Sequence, residues 1–152
     1  MDYETRLKEA GLILPPPPQP VGFYHPIIIE GNRGYLSGQI SRTGEGKILS
    51  GKIGTDLTVE EGKQAARIAA LNVLSVIQHF VGFEKLGRIL RVVGYVQVAE
   101  NFYDIPEVVN GASHLFLQIL EDKGIHARSA VGAASLPLNA AVELEVTVQL
   151  RG

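Results

Sequence analysis

The chain has 152 residues, of which 45% are hydrophobic and 20% are charged, a balance typical of a single compact globular domain. It contains no cysteine, which excludes disulfides, thiolate nucleophiles and cysteine metal sites. Fourteen basic residues against sixteen acidic ones give a net charge of −2, so we expect no DNA or membrane partner and disfavour RNA. Because the first residues are charged and no apolar run is long enough to span a membrane, we expect a cytoplasmic protein.

The N-terminal segment is predicted to form a helix followed by an extended strap. Asp2 can cap a short helix over residues 3–10, and a run of four prolines then begins at Pro15. Such a run favours the polyproline II conformation, either as a semi-rigid connection, which we prefer, or as a ligand for an aromatic groove. We therefore divide the chain into a helix and polyproline strap over residues 1–20 and a globular domain over residues 21–152.

The globular part opens with a predicted β-hairpin. Two runs rich in β-branched and aromatic residues, 27–29 and 35–40, flank a turn that contains glycine and asparagine. A glycine-rich stretch over residues 44–54 follows, and residues 47–50 within it could form a short third strand.

Helical periodicity then predicts two longer helices. Thr58 and Glu61 have the spacing of a capping box, and apolar residues recur at helical intervals from there to Gly82. The second helix is opened by Pro106, and Gly124 stands where a left-handed C-terminal cap is expected.

Three more strands complete the predicted sheet, over residues 89–98, from Arg128 onward, and over residues 142–150. The first should turn Leu90, Val92, Val96 and Val98 towards the helices. The last alternates most clearly, with Val142, Leu144, Val146, Val148 and Leu150 on one face. The element order predicts an α+β sandwich of two helices on one mixed β-sheet.

The far face of this sheet is too polar for a core and too mixed for an ordinary wet surface. It would carry Arg91, Val93, Tyr95, Gln97, Glu143 and Glu145. Packing against symmetric copies explains such a face, so we expect a homo-oligomer with clefts between its subunits.

Most motifs of known chemistry are missing or incomplete. Residues 46–52 match the first part of a P-loop, but Ile53 replaces the hydroxyl residue that would hold magnesium, and a solvent loop is the better interpretation. The four histidines lack paired metal-ligand spacing, so we expect no metal or other cofactor. A nucleophile elbow of the form Gly-x-Ser-x-Gly is also absent.

One tract stands apart because Arg128 begins a strand of otherwise small residues. A guanidinium there can bind a carboxylate or phosphate through two parallel hydrogen bonds, although by composition alone an ordinary surface or intersubunit ion pair is the preferred interpretation. Glu143, on the next strand, could orient or deprotonate water beside it, with Glu145 as a structural neighbour on the same face.

The chain resembles the reactive intermediate deaminase family, also called YjgF-like and often labelled endoribonuclease L-PSP. The resemblance runs from about Gly22 to Leu150. It is carried by Gly22-Phe-Tyr24, Gly31-Asn32, Tyr35-Leu-Ser37-Gly-Gln-Ile40, Val109-Asn110, Ala127-Arg128-Ser129, Leu136-Pro137 and Val142-Glu143-Leu-Glu145.

The resemblance implies a chorismate-mutase-like fold and a homotrimer whose sheets enclose a central barrel, with a site in each intersubunit cleft. It implies that Arg128 binds the substrate carboxylate and that Glu143 positions the water that hydrolyses an imine to a ketone and ammonia. By the same comparison Tyr24, Ser37 and Asn110 line the pocket. Ala130 stands in the pocket where many active members carry cysteine.

The expected function is cofactor-free hydrolysis of 2-imino acids, with a small carboxylate or imino acid as ligand. The chain departs from the family in two ways: Ala130 replaces the cysteine of many active members, and the N-terminal helix and proline strap are absent from the family's short form. These departures leave the substrate open. A non-catalytic trimer that binds small carboxylates is the second hypothesis. The ribonuclease activity of the family's older label is the third, and the net charge of −2 argues against it.

Overall fold

The computed structural model of the protein describes residues 2–19 and 22–152, in which one mixed β-sheet packs against helices. The three helices are α1 Tyr3–Glu9, α2 Val59–Phe80 and α3 Ile105–Leu120. The strands are β1 Ile27–Glu30, β2 Arg33–Leu36, β3 Gln39–Ile40, β4 Leu86–Gln97, β5 Ala127–Ala133 and β6 Val142–Leu150. The α+β class and the mixed sheet are confirmed, and all three predicted helices form; α1, predicted to lie outside the sandwich of two helices and a sheet, also packs on the core.

The strands lie in the order β1-β2-β6-β4-β5, and the short β3 also pairs with β6. All neighbours are antiparallel except β4 and β5, which α3 connects in parallel. Strand β5 therefore forms one edge of the sheet, with its outer side unpaired among the described residues.

Helix α2 begins where its sequence predicts. The Thr58 hydroxyl accepts from the Glu61 amide at 3.1 Å and the Glu61 carboxylate accepts from the Thr58 amide at 3.0 Å, which satisfies two donors at the helix start. The buried face of α2 is lined with alanines, and α3 packs against it. In the described part of the chain, no helix combines the length and apolarity needed to cross a membrane.

The core lies between the sheet and the helices. Strand β6 supplies its inner face, and the predicted alternation is confirmed: Val142, Leu144, Val146 and Val148 are buried. Because side chains alternate across a strand, Glu143 and Glu145 are turned to the opposite face.

The N-terminal segment packs onto the same core. Leu7 is only 6% exposed, the Tyr3 ring meets Phe83 edge-on at 5.3 Å, and the buried Ser75 hydroxyl donates to the Pro15 carbonyl at 2.6 Å. Pro20, at the end of the predicted strap, and the predicted domain boundary beside it lie outside the described residues.

Two predicted strands differ in detail from the structure. The run 35–40 is interrupted at Ser37 and Gly38, because β2 and β3 pair with β6 in registers that differ by one residue. Residues 47–50 form isolated bridges rather than a strand. The P-loop-like stretch is a loop, as predicted, and the side chain of Ile53 beside it is buried.

Two positions on β4 differ from the prediction. An irregularity between Ile89 and Arg91 changes the alternation, so Ile89 enters the core in place of Leu90. Gln97, predicted on the polar outer face, is only 1% exposed: its amide donates to the Gly51 carbonyl and to Asn139, and its oxygen accepts from the Leu136 amide. Its polar atoms are therefore satisfied within the chain.

The role predicted for Gly124 was also wrong. Its backbone is not left-handed; the C-cap position of α3 with positive φ is Glu121, at 53°. Glycine is required at 124 because a Cβ there would lie 2.2 Å from the Phe116 carbonyl oxygen.

Candidate functional site

Arg128 lies near the start of the edge strand β5 and reaches the underside of α3. Its Nη1 donates to Asn110 Oδ1 at 2.8 Å and to Ser113 Oγ at 3.2 Å, and its Nη2 lies 3.5 Å from the Pro106 carbonyl. All three partners are neutral. Among the described residues no carboxylate lies within 4.0 Å of this guanidinium, so its charge is not neutralised by an ion pair within the chain.

Glu143, on the central strand β6, lies beside a cavity of about 380 Å³. The apolar part of the wall includes Tyr24, Pro26, Ile40, Pro137 and Leu138, and the polar part includes Gln39, Arg42 and Asn72. Pro18 and Gln19 also line the cavity, so the last described residues of the strap form part of its wall.

The environment of Glu143 favours its protonated form. The side chain is half-buried, and burial raises the pKa of its carboxyl, with a further increase from the negative charge of Glu145. A carboxylate whose pKa is raised towards neutrality is a stronger base than an exposed one, which makes Glu143 a candidate general base.

Gly38 makes room for that carboxylate. A Cβ at this position would lie 2.0 Å from Glu143 Oε2, closer than any real contact of this kind. The glycine that interrupts the predicted strand therefore lets Glu143 lie across the backbone next to β3. Its role depends on a contact between β6 and the segment before β3, which no pattern along the sequence indicates.

Arg128 and Glu143 are on opposite faces of one sheet. Arg128 contacts α3 and so lies on the helix side, whereas Glu143 alternates with the buried Val142 and Leu144 and lies on the far side. A single copy of the chain does not bring the guanidinium and the carboxylate together.

The remaining predicted site residues divide between these two places. Asn110 accompanies Arg128, and Tyr24 lines the Glu143 cavity and is 48% exposed. The Ser37 hydroxyl donates to the His25 carbonyl at 2.5 Å, which fixes the segment beside Tyr24. Ala130 shares the helix-side face of β5 with Arg128 and packs, partly buried, against the core.

The far face of the sheet carries its own polar contacts. Tyr95 donates to Glu145 at 3.1 Å, and Arg91 donates to the Ser129 hydroxyl at 3.1 Å. No ion pair joins Arg91 to Glu145 among the described residues. In the same residues, the His, Asp and Glu side chains form no group of three that could hold a metal ion.

Comparison with known proteins shows the family of the chain. Residues 4–150 match the family described as "YjgF/chorismate mutase-like, putative endoribonuclease". The chain is 37% identical to protein TCP17 of Trypanosoma cruzi over 148 residues, which cover 96% of this chain and 92% of that protein. It is 34% identical to a 2-iminobutanoate/2-iminopropanoate deaminase of Dermatophagoides farinae, over 86% of this chain and 88% of that protein.

A solved structure shares the fold over nearly the whole chain. The protein Atu1372 from Agrobacterium tumefaciens superimposes with a TM-score of 0.90 at 37% identity, covering 97% of this chain and 93% of its own. The family match includes α1 as well as the sheet, which agrees with the packing of the N-terminal helix on the core. The chain therefore belongs to the YjgF/chorismate mutase-like family, whose members are described as imine deaminases and as endoribonucleases.

Proposed function

We propose that this protein is a cofactor-free hydrolase of 2-imino acids that works as a homotrimer, at clefts between its copies. Arg128 of one copy binds the substrate carboxylate, and Glu143 of a neighbouring copy positions water. The observation that carries the proposal is the placement of two groups on opposite faces of one sheet: an arginine that has no acidic partner among the described residues, and a base with a raised pKa. Only a second copy can supply the missing half of such a site.

The chemistry requires a carboxylate anchor and a base. In a protonated 2-imino acid the imine carbon is electrophilic, and the adjacent carboxylate offers two oxygens to the guanidinium. Water forms a C–O bond to that carbon as Glu143 takes one of its protons. Transfer of this proton to nitrogen lets the C–N bond break, so ammonia leaves, and loss of the hydroxyl proton gives the 2-oxo acid.

The surfaces of the chain support assembly. The edge strand β5 exposes Val131 at 41%, and Ile28 and Tyr35 are about half exposed on the β1–β2 hairpin. Together with the polar contacts of Tyr95 and Arg91, these residues form a mixed surface that a monomer would leave in water. The name of the deaminase relative supports the reaction class.

The decisive experiment compares Glu143→Gln with Glu145→Gln, because the two glutamates share one strand face. Short-lived imino acids are generated in place with an amino-acid oxidase, and their decay to 2-oxo acids is followed with each variant. Removing the base should reduce kcat by roughly 10²–10⁴ while the affinity for a 2-oxo acid product changes little. Glu145→Gln should retain turnover within a few-fold, because its wild-type partner is Tyr95.

Both variants must first be shown by light scattering to have the same mass as the wild type. An inactive Glu145→Gln beside an active Glu143→Gln would overturn the assignment of the base. If neither substitution affects turnover, or if the wild type binds 2-oxo acids but does not accelerate imine decay, the site belongs to a carboxylate-binding protein rather than to a hydrolase.

A further inference from the structure

A series of hydrogen bonds runs from the Arg128 guanidinium through Ser113 and His126 to the backbone of Gly124. Arg128 Nη1 donates to Ser113 Oγ at 3.2 Å, Ser113 Oγ lies 2.9 Å from His126 Nε2, and His126 Nδ1 lies 2.5 Å from the Gly124 carbonyl oxygen. The four groups come from α3, from β5 and from the turn between them. We call this series of hydrogen bonds the Arg128 relay.

One arrangement of protons satisfies every member of the relay. The Gly124 carbonyl can only accept, so His126 Nδ1 carries a proton, and in a neutral imidazole Nε2 is then an acceptor. The single Ser113 hydroxyl proton is donated to Nε2. A lone pair of the same oxygen accepts from Arg128, which can only donate. The orientation of the guanidinium is thus linked to the protonation state of a histidine two residues away on the chain.

We propose that Ser113 and His126 are positioning residues that help to hold Arg128 in its carboxylate-binding orientation, and that protonation of His126 breaks the Ser113–Arg128 hydrogen bond and so weakens that hold. The proposal rests on the proposed function, which assigns the carboxylate to Arg128. Neither residue need touch the substrate. Both act through the guanidinium, and the relay would make substrate binding, rather than the chemical step, sensitive to acid.

The surroundings of His126 keep it neutral near pH 7. Burial lowers the pKa of its imidazole, and the positive charge of Arg128 lowers it further. On the β4 side Arg88 donates to the carbonyl of Ile125, the residue before His126, at 2.9 Å. The α3 side presents the Ser113 hydroxyl and the Phe116 ring, whose centroid is 5.9 Å away, and neither titrates in this range.

Protonation would reverse one bond of the relay. With both ring nitrogens donating, Nε2 would face the Ser113 oxygen as a second donor beside Arg128, and the hydroxyl proton would have to turn away. Two positive charges would then share one hydroxyl. The hydrogen bond between Ser113 and Arg128 is the one that breaks, because the guanidinium has other acceptors at Asn110 and Pro106.

The first test observes Arg128 directly and needs no turnover. Side-chain ¹⁵N NMR of the wild type should show Arg128 signals that shift as His126 titrates, with His126 in the Nδ1-protonated form at pH 7. In His126→Gln the Arg128 signals should not change with pH, and in Ser113→Ala they should no longer follow the His126 titration. His114→Gln, which removes an exposed histidine next to Ser113, is the matched control and should leave the titration intact.

The second test separates binding from chemistry. Loss of one hydrogen bond behind the anchor should raise KM by about 2- to 12-fold in Ser113→Ala, with kcat changed by no more than about twofold. Ser113→Thr, which keeps the hydroxyl, should restore KM. In the wild type KM should rise as the pH falls through the pKa of His126, and this rise should disappear in His126→Gln.

The outcomes distinguish the relay from the proposed function. Arg128 signals that respond neither to Ser113→Ala nor to the titration of His126 overturn the relay, even if the protein hydrolyses imines. A KM in Ser113→Ala equal to that of the wild type, in a protein that is active and trimeric, also overturns it. If no imine is hydrolysed but the Arg128 signals behave as described, the hydrolase proposal fails and the relay stands.

Discussion

Substitution of Gly38 by alanine tests whether the position of the Glu143 carboxylate sets the rate of the reaction. The new Cβ would lie 2.0 Å from Glu143 Oε2 and 2.9 Å from its Cδ, so the carboxylate must retreat until its oxygen is at least 3.0 Å away. The displaced atoms are the end of a flexible, half-buried side chain, so the fold can absorb the change. The catalytic geometry cannot, because a displacement of about 1 Å can cost about 100-fold in rate.

We therefore expect Gly38→Ala to lower kcat by about 100-fold. Its free energy of unfolding should change by less than about 1 kcal/mol, since Gly38 does not have a left-handed backbone and alanine restricts the unfolded chain. The coupled oxidase assay gives kcat, and urea denaturation gives the stability. Affinity for a 2-oxo acid should be retained, because the carboxylate anchor lies on the other face of the sheet.

Gly44→Ala is the matched control. Its Cβ would lie 3.5 Å from the nearest atom, Pro15 Cβ, which is an ordinary contact, so both stability and kcat should be close to wild type. A folded Gly38→Ala protein that turns over imines as fast as the wild type would refute the reasoning, because Glu143 would then act from a position other than the one observed.

Three further outcomes follow from the same structure. Arg128→Ala should leave the fold nearly intact but abolish binding of a 2-oxo acid in calorimetry. Arg128→Lys should restore little binding, because an ammonium group cannot form two parallel hydrogen bonds. Undiminished binding in the alanine variant would make the arginine purely structural. Glu143→Gln should be more stable than the wild type at neutral pH, because a raised pKa means that the fold prefers the protonated carboxyl. The difference in stability should disappear below the ordinary glutamate pKa of 4.5, and denaturation curves at several pH values check its sign. Leu7→Ala should destabilise the whole domain by about 2–5 kcal/mol in a single unfolding transition, whereas an independent N-terminal segment would give a separate, weaker one.

Local patterns in the sequence were sufficient to predict the helices and strands whose environment is uniform along their length. Strand β6 alternates without interruption because one face is buried under the helices throughout, and α2 begins at a capping box made by residues three apart. The same patterns, with the family resemblance, identified Arg128 and Glu143 individually. In each case the deciding interactions are local, or they repeat with the period of the element.

Only the tertiary structure decided the features that depend on contacts between distant segments. An irregularity in β4 exchanged Leu90 for Ile89 in the core, and Gln97 is buried because the loops around Gly51 and Asn139 satisfy its amide. Alternation within a strand cannot predict either, because it does not specify register shifts or the polar atoms that loops bring to a side chain.

The arrangement of the candidate site also depends on contacts between distant segments. That Arg128 and Glu143 face opposite sides of the sheet follows from strand pairing, and the contact between Ser113 and His126 follows from the packing of α3 on β5. The sequence by itself therefore determined which groups could do the chemistry. Strand order and helix packing decided that these groups are separated within one copy, because they set the distances between residues that are far apart in the sequence. The proposed function brings the groups together through a second copy.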